Sequence, residues 1–278
     1  MEVLPESGTE IPAPSTPGSV APAWHTVILI AGIAFLSWQG ARELGGGNVV
    51  GAGSGFGGIT NVYAIYASTV ISQILMVAWV FFGVRLRKVP FRSLFGNFSG
   101  GWVGLLTDFG IAAGFWLASV ITLATLNLTW LITDAAMHHR SLIGAHGKPA
   151  PADPAQQQLL HTLSSLAPSN GREVLAWALV CIMAGLVEEL VFRGYFQRQF
   201  TAWGRGAAVV GVVASSLLFG AAHGYQGIHN MIFLSLFGAM FSVLVLFRRS
   251  LRPGIFAHAW NDFAMGLLLM AAKARHLL

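Results

Sequence analysis

The sequence predicts an all-α protein, a polytopic bundle of about seven (six to eight) transmembrane helices. Of the 278 residues, 55% are hydrophobic and 10% are charged, whereas roughly a quarter of the residues in a soluble domain carry charge. The mean hydropathy is +0.65. Apolar residues gather in segments close to the roughly 20 residues that a helix needs to cross a bilayer. A soluble fold of this length cannot bury so much apolar surface, so lipid must solvate part of the chain.

Seven apolar segments are long enough to be membrane spans. They are separated by short polar segments and by one long polar stretch, 134–170. The predicted spans are 24–41, 62–84, 102–133, 172–200, 206–222, 228–247 and 253–272. The glycine-rich segment 45–58 indicates a flexible loop, and the basic segment 85–98 indicates an interfacial segment.

Three regions follow from these boundaries. Residues 1–23 are rich in Pro, Ser and Gly and lack the basic start of a signal peptide, so we predict a disordered N-terminal tail. Residues 24–171 hold the first three spans and the polar loop, and residues 172–278 form a C-terminal helical core. The single cysteine, Cys181, cannot form an internal disulfide, so the sequence does not indicate a redox compartment.

The basic residues lie mostly beside apolar segments. This placement of a small net charge of +5 is typical of membrane flanks and excludes a nucleic-acid patch. With the N-terminus in the cytoplasm, ten Lys and Arg residues fall on the cytoplasmic side and six on the other. The positive-inside rule therefore predicts a multi-pass protein of the plasma (inner) membrane with a cytoplasmic N-terminus.

The polar stretch 134–170 contains His138, His139 and His146. Clustered histidines can bind a metal ion. These three lie among loop residues without the spacing of ligands, so the stretch is interpreted as a solvated loop.

Ionisable groups in apolar surroundings are the most informative residues, because a charge at the bilayer centre costs at least about 2.5 kcal/mol. The string GLVEELVFRGYF places Glu189 and Arg193 four residues apart on one helix face. Glu188 points about 100° away. Arg193 can neutralise Glu189, which leaves Glu188 free to act as a general base in a polar cavity. A buried ion-pair cluster without chemistry is the alternative.

Two further clusters follow on later helices. Phe219 and His223 lie four residues apart, as do His258 and Asp262, with Asn261 adjacent. A histidine and an amide or carboxyl on one face can stabilise a developing oxyanion, or they can merely hold each other in place. All three clusters fall between Glu188 and Asp262, one per helix, which favours a common site.

Together the ordered motifs EExxxR, FxxxH and HxxxN/D resemble those of the CAAX protease and bacteriocin-processing family, also called the CPBP or Abi family. Here they are Glu188-Glu189-Arg193, Phe219 with His223, and His258 with Asp262. The resemblance covers roughly residues 172–272. It implies a glutamate-dependent intramembrane endopeptidase with a lipid bilayer around it and no cofactor.

The resemblance also implies a role for each residue. Glu188 and His223 would activate water, His258 and the residue at 262 would stabilise the oxyanion, and Arg193 would orient the acidic pair, most directly Glu189. Relatives act on prenylated tails or on leader peptides, so a peptide or protein substrate is implied, whether lipidated or not.

Two features depart from the expected pattern. The last motif position is commonly Asn but here is Asp262, so either this carboxyl is protonated, or it orients His258, or Asn261 supplies the donor. The predicted spans also leave His223 and His258 over about 15 Å apart in depth. A common site therefore requires a short or tilted fifth span or shifted boundaries.

Other functions are compatible with the same residues. Glu188, His223 and His258 form a three-ligand set for catalytic zinc, although the HExxH motif is absent. Loss of activity on chelation, restored by zinc, would select that version. A non-catalytic immunity or scaffold protein and a proton-coupled transporter are the alternatives from other classes.

Overall fold

The computed structural model describes residues 18–45, 61–139, 141, 143 and 154–275. Within these residues it consists of helices and contains no named strand, which confirms the all-α prediction. The α-helices are α1 (Ala23–Gly45), α2 (Val62–Leu86), α3 (Gly101–Met137), α4 (Pro154–Leu166), α5 (Gly171–Glu188), α6 (Gln197–Trp203), α7 (Ala208–Ala222), α8 (Ile228–Arg248) and α9 (Arg252–Ala274). Each predicted span falls on a helix, and five helical stretches are long and apolar enough to cross a membrane.

Parts of three predicted segments differ from the expectation or lie outside the described residues. The polar stretch 134–170 contains the helix α4 near its end, although it was predicted to be a loop. The glycine-rich loop at 45–58 lies outside the described residues apart from its first residue, as does the predicted tail up to residue 17. His146 is likewise outside them.

The centre of the bundle is one long helix whose hydrogen-bonding pattern changes midway. Between α5 and α6 runs a π-helix, Glu189–Phe196, so that Gly171–Trp203 forms one continuous span. All eight residues of the π-helix are buried. Because π-helical turns are rare and concentrate at functional sites, this segment is the natural place to look for one.

Helices α6, α7 and α8 form an antiparallel arrangement held by close contacts at glycines. A side chain at Gly211 would contact the backbone oxygen of Gln197 on α6, and one at Gly220 would contact that of Met231 on α8. These glycines let the helix axes approach. The contact at Gly211 sets the register of α7 against the central helix, and the contact at Gly220 sets it against α8.

The junction between α8 and α9 is tied to the segment that follows α2. A 3₁₀-helix, Phe91–Phe95, buries Leu94, and backbone hydrogen bonds link Asn97 to Arg249 (2.8 Å) and Leu251 to Phe95 (3.0 Å). The predicted interfacial segment 85–98 therefore also packs into the protein, directly beneath the start of α9.

The N-terminal part of the chain is anchored on the central helix. The buried amide of Gln199 accepts hydrogen bonds from the backbone of Val20 and Ala21 and donates one back to Ala21. His25 donates from Nε2 to the oxygen of Trp79 (2.8 Å), so its Nδ1 accepts from the Tyr195 hydroxyl (2.8 Å). Val20 and Ala21 of the predicted tail are thus held in place.

Candidate active site

A buried ion pair within the π-helix, between Glu189 and Arg193, lies at the centre of the candidate site. Nη1 of Arg193 donates to Oε1 of Glu189 at 2.9 Å, and both side chains are buried. Nη2 donates to the oxygen of Gly238 on α8 (3.2 Å), and the guanidinium lies over the rings of Phe219 and Phe241. The spacing of the sequence predicts the pairing with Glu189. The contacts with α8 depend on tertiary packing.

His258 on α9 connects the acidic pair. Its Nδ1 lies 3.0 Å from Oε1 of Glu189, a hydrogen bond. Its Nε2 lies 3.7 Å from Oε2 of Glu188 and 3.6 Å from Oδ2 of Asp262, distances longer than a hydrogen bond. Side chains from two helices therefore bring three carboxyl groups around one imidazole ring.

Glu188 and Glu189 are adjacent in sequence and have different surroundings. The Glu189 side chain is 0% exposed and paired with Arg193, whereas that of Glu188 is 24% exposed. Oε2 of each glutamate is itself buried and has no hydrogen-bond partner among the described residues. The two carboxyl groups therefore differ in side-chain exposure and in the pairing with Arg193, and Glu188 is the one whose side chain is partly exposed.

His223 ends α7 beside the same cluster. Its Nδ1 donates to the oxygen of Phe219 at 2.8 Å, so in the neutral ring Nε2 carries the lone pair and can accept a proton. The Phe219 ring lies 4.9 Å from the ring of His223 and 6.1 Å from that of His258. Both histidines therefore flank one buried phenylalanine.

The expected separation in depth between His223 and His258 does not occur, because the fifth span is short. Helix α7 has 15 residues and spans about 22 Å, less than the roughly 30 Å hydrocarbon core. Near the start of α7, Gly211 packs against Gln197 and Thr201 of α6. Helix α7 consequently ends near Glu188, one turn beyond the contact of Phe219 with Arg193.

Asn261 and Asp262 lie one turn after His258 on α9. Nδ2 of Asn261 is 3.4 Å from Oδ1 of Asp262, so the amide is directed to the neighbouring carboxyl. The structure thus brings together all seven predicted site residues, which are Glu188, Glu189, Arg193, His223, His258, Asn261 and Asp262.

The family comparison covers this same part of the chain. Residues 170–264 match the family model described as type II CAAX prenyl endopeptidase, Rce1-like. Residues 170–264 are thus similar to this family and form the Rce1-like segment. The match includes all three motifs and confirms the resemblance predicted from them. With the five apolar helices, it makes the chain an integral multi-pass membrane protein and supports an intramembrane protease of the CAAX type in general. Neither curated proteins nor solved structures gave a match.

The sequence analysis missed two polar residues of the Rce1-like segment. Tyr225 and Gln226 lie in a 3₁₀-helix, Gly224–Gln226, directly after His223. Nε2 of Gln226 donates to the Tyr225 hydroxyl at 3.0 Å, and the Tyr225 ring lies 6.1 Å from that of His223. Helical spacing gave no signal for them because the α-helix ends at Ala222.

A groove lies beside the C-terminal end of α7, where His223 is located. It lies between α1 and α7, has a volume of about 300 Å³, and is lined by Ile33, Ala34, Ser37, Trp38, Leu218, Ala221, Ala222 and Gly224. Ser37 donates a hydrogen bond to the oxygen of Ala221 across it. The lining of the groove therefore includes Ala222 and Gly224, the two chain neighbours of His223.

Among the described residues, no three His, Cys, Asp or Glu side chains are grouped so that they could hold a metal ion. The zinc alternative, with Glu188, His223 and His258 as ligands, stays a prediction. The exposed His138 lies beside Asp134 of its own helix, with Nδ1 2.9 Å from the backbone oxygen.

Proposed function

We propose that the protein is an intramembrane endopeptidase that hydrolyses a peptide bond with water activated by Glu188 and His223. One observation carries the proposal: the partly exposed side chain of Glu188 and the imidazole of His223, whose Nε2 can accept a proton, lie beside a buried, ion-paired cluster that includes His258. The Rce1-like match supports the reaction class.

The reaction uses a single water molecule and forms no covalent intermediate. The water transfers a proton to Glu188, assisted by His223, while its oxygen attacks the carbonyl carbon of the scissile peptide. The carbonyl oxygen becomes an oxyanion, which the protonated imidazolium of His258 stabilises by donating from Nε2–H while its Nδ1–H stays on Glu189. When the tetrahedral intermediate collapses, the C–N bond breaks and the nitrogen takes up the proton that Glu188 received. The products are a carboxylic acid and an amine.

Glu188 and Glu189 have separate roles in this mechanism. Glu189 accepts hydrogen bonds from both Arg193 and His258, so it fixes the imidazole and cannot move to a substrate. Glu188 lacks such partners and retains exposure. The base is therefore Glu188, and Glu189 is a positioning residue.

The substrate is a peptide or protein that enters from the lipid or from the cytoplasmic face, and the N-terminus of the chain is cytoplasmic. The groove between α1 and α7 offers a lateral route because it opens beside His223. Prenylated peptides and their unmodified counterparts are the first pair to compare, since the matched family is described as a prenyl endopeptidase.

Substituting Glu188→Gln tests the proposal. The amide keeps the shape of the side chain but cannot accept the proton, so kcat should fall by about 100- to 10,000-fold, the contribution of a general base. Purified wild-type and variant proteins are incubated with a membrane proteome, new peptide termini are identified by mass spectrometry, and the best substrate is then used for kinetics.

The matched control is Glu173→Gln in the first turn of the same helix. Glu173 caps α5 through Ser169 and Asn170, away from the site, and glutamine can keep a capping role. This variant should cleave like the wild type. If Glu188→Gln yields the same new termini at the same rate as the wild type, the proposed base is wrong. If the wild type itself yields no new termini, a scaffold role is favoured.

A further inference from the structure

Tyr225 presents an unused hydrogen-bond donor at the site. Gln226 donates its amide N–H to the phenol oxygen at 3.0 Å. Because an amide N–H can only donate, the phenol oxygen is the acceptor and its own hydrogen remains available. No acceptor in the described part of the chain receives that hydrogen. The hydroxyl is therefore held by one neighbour and free to donate to a ligand.

The surroundings of Tyr225 keep this hydrogen in place. Burial and the negative charges of Glu188 and Asp262 raise the pKa of the Tyr225 phenol above its ordinary value near 10. The Tyr225 ring lies 6.1 Å from the ring of His223, one of the two groups proposed to activate water. At neutral pH the side chain is thus a neutral O–H donor.

Without the Tyr225 hydroxyl, the oxyanion of the proposed reaction lacks a second hydrogen-bond donor. Nδ1 of His258 donates to Glu189, which leaves only Nε2 for a substrate. The amide of Asn261 is directed to Asp262, and an ionised Asp262 has no hydrogen to give. Oxyanion sites of acyl transfer commonly combine more than one preorganised donor. The phenol of Tyr225 is therefore a candidate for the second hydrogen-bond donor to the oxyanion.

We propose that Tyr225 is a catalytic residue whose phenol O–H binds the carbonyl oxygen of the scissile peptide as that oxygen becomes an oxyanion, and that Gln226 is the positioning residue that orients the phenol. This inference rests on the proposed peptide hydrolysis. It assigns to Tyr225 the donor role that the carboxylate at position 262 cannot fill.

The first test is Tyr225→Phe, which removes the hydroxyl and keeps the ring against His223. The loss of one oxyanion donor lowers kcat by about 100- to 1,000-fold. The KM should stay within about threefold, since the interaction strengthens only in the transition state. Tyr63→Phe is the matched control because Tyr63 is exposed at the start of α2. It should match the wild type in both constants, and thermal unfolding of all variants is measured in parallel.

The second test replaces Tyr225 with a difluorotyrosine, which retains the hydroxyl and has a lower phenol pKa. A donor works only while protonated, so kcat falls as pH rises through the phenol pKa. The alkaline fall in kcat should therefore move to lower pH than in the wild type. A residue that only supports the fold would not shift this part of the profile.

The outcomes separate this inference from the proposed function. If Glu188→Gln is inactive while Tyr225→Phe keeps kcat within about threefold of the wild type, the role of Tyr225 is wrong and the protease stands. A rise in KM alone, or an unchanged alkaline fall with difluorotyrosine, also overturns it. If Glu188→Gln remains fully active, the proposed function itself fails.

Discussion

At the scale of single residues, two adjacent glutamates have been given opposite environments. Glu189 lies at the start of the π-helix, buried between Arg193 and His258, and Glu188 remains partly exposed. The i,i+4 spacing predicts the pair of Glu189 and Arg193 because both lie on one helix face. The spacing cannot predict that Arg193 also binds the oxygen of Gly238, since that contact joins residues 45 positions apart.

The Arg193→Met variant tests how far the fold depends on this ion pair. Removing one member of a buried pair leaves an uncompensated charge and destabilises by about 3–5 kcal/mol. The Glu189→Leu/Arg193→Met double variant removes both charges, so it should be more stable than Arg193→Met alone. The measurement is the free energy of unfolding, or the unfolding temperature, of the wild type, both single variants and the double variant in the same detergent.

A matched control for this cycle is Arg172→Met at the exposed start of α5, which should change stability by less than about 0.5 kcal/mol. If the double variant is as unstable as the sum of its parts, Glu189 and Arg193 do not interact energetically. The stabilising role assigned to the pair would then be wrong.

At the scale of elements, apolar length predicted the spans and could not predict the π-helix. A run of about 20 apolar residues indicates a helix because backbone groups must be satisfied within lipid. The string ELVFRGYF contains nothing that distinguishes a π-turn from an α-turn. For the same reason the sequence did not predict Tyr225, which lies past the end of α7, where helical periodicity no longer applies.

The packing of α5 against α9 sets the distance between the glutamates and His258, and Gly185 tests it. A Cβ atom at Gly185 would lie 2.8 Å from the backbone nitrogen of Ala259 and 2.9 Å from the backbone oxygen of Ile255. Gly185→Ala must therefore push α9 away. We expect a destabilisation of about 1–3 kcal/mol. Proteolytic kcat should fall at least about tenfold, since a shift of about 1 Å can cost a hundredfold in rate.

Gly114→Ala on α3 is the control for Gly185→Ala. A Cβ atom there has no neighbour within 4 Å, so alanine should be neutral or stabilise by up to about 1 kcal/mol through its better helix propensity. Both variants are compared by thermal unfolding and by kcat on the same substrate. Equal behaviour of the two would show that α5 and α9 tolerate a wider separation than the contacts imply.

At the scale of the whole molecule, the helices without motifs support those that carry them. Asp108 is the one Asp or Glu within the first three predicted spans, and local spacing does not indicate its partners. They are Arg248 and Arg252, which donate to its two carboxylate oxygens at 2.7 and 2.6 Å across 140 and 144 residues. The carboxylate therefore ties α3 to the α8–α9 junction, six residues before His258.

Asp108→Asn tests whether this long-range tie stabilises the bundle. The asparagine side chain carries no charge, so the guanidinium groups of Arg248 and Arg252 lose their carboxylate partner at a buried position. We expect a loss of about 3 kcal/mol, the lower end for a broken buried pair, because Arg248 keeps contact with solvent. The unfolding temperature should fall, whereas kcat below that temperature should stay within about threefold, since Asp108 contacts none of the proposed catalytic groups.

The same substitution at Asp134 on α3 provides the comparison for Asp108→Asn. Asp134 lies beside the exposed His138, and an exposed pair contributes little, typically below about 1 kcal/mol. Two results would contradict the stabilising role of Asp108: equal unfolding temperatures for the two variants, or a loss of kcat without a loss of stability. The second result would mean that charge at the α8–α9 junction is felt at His258. In that case the N-terminal helices would take part in setting the electrostatics of the site, besides supporting it mechanically.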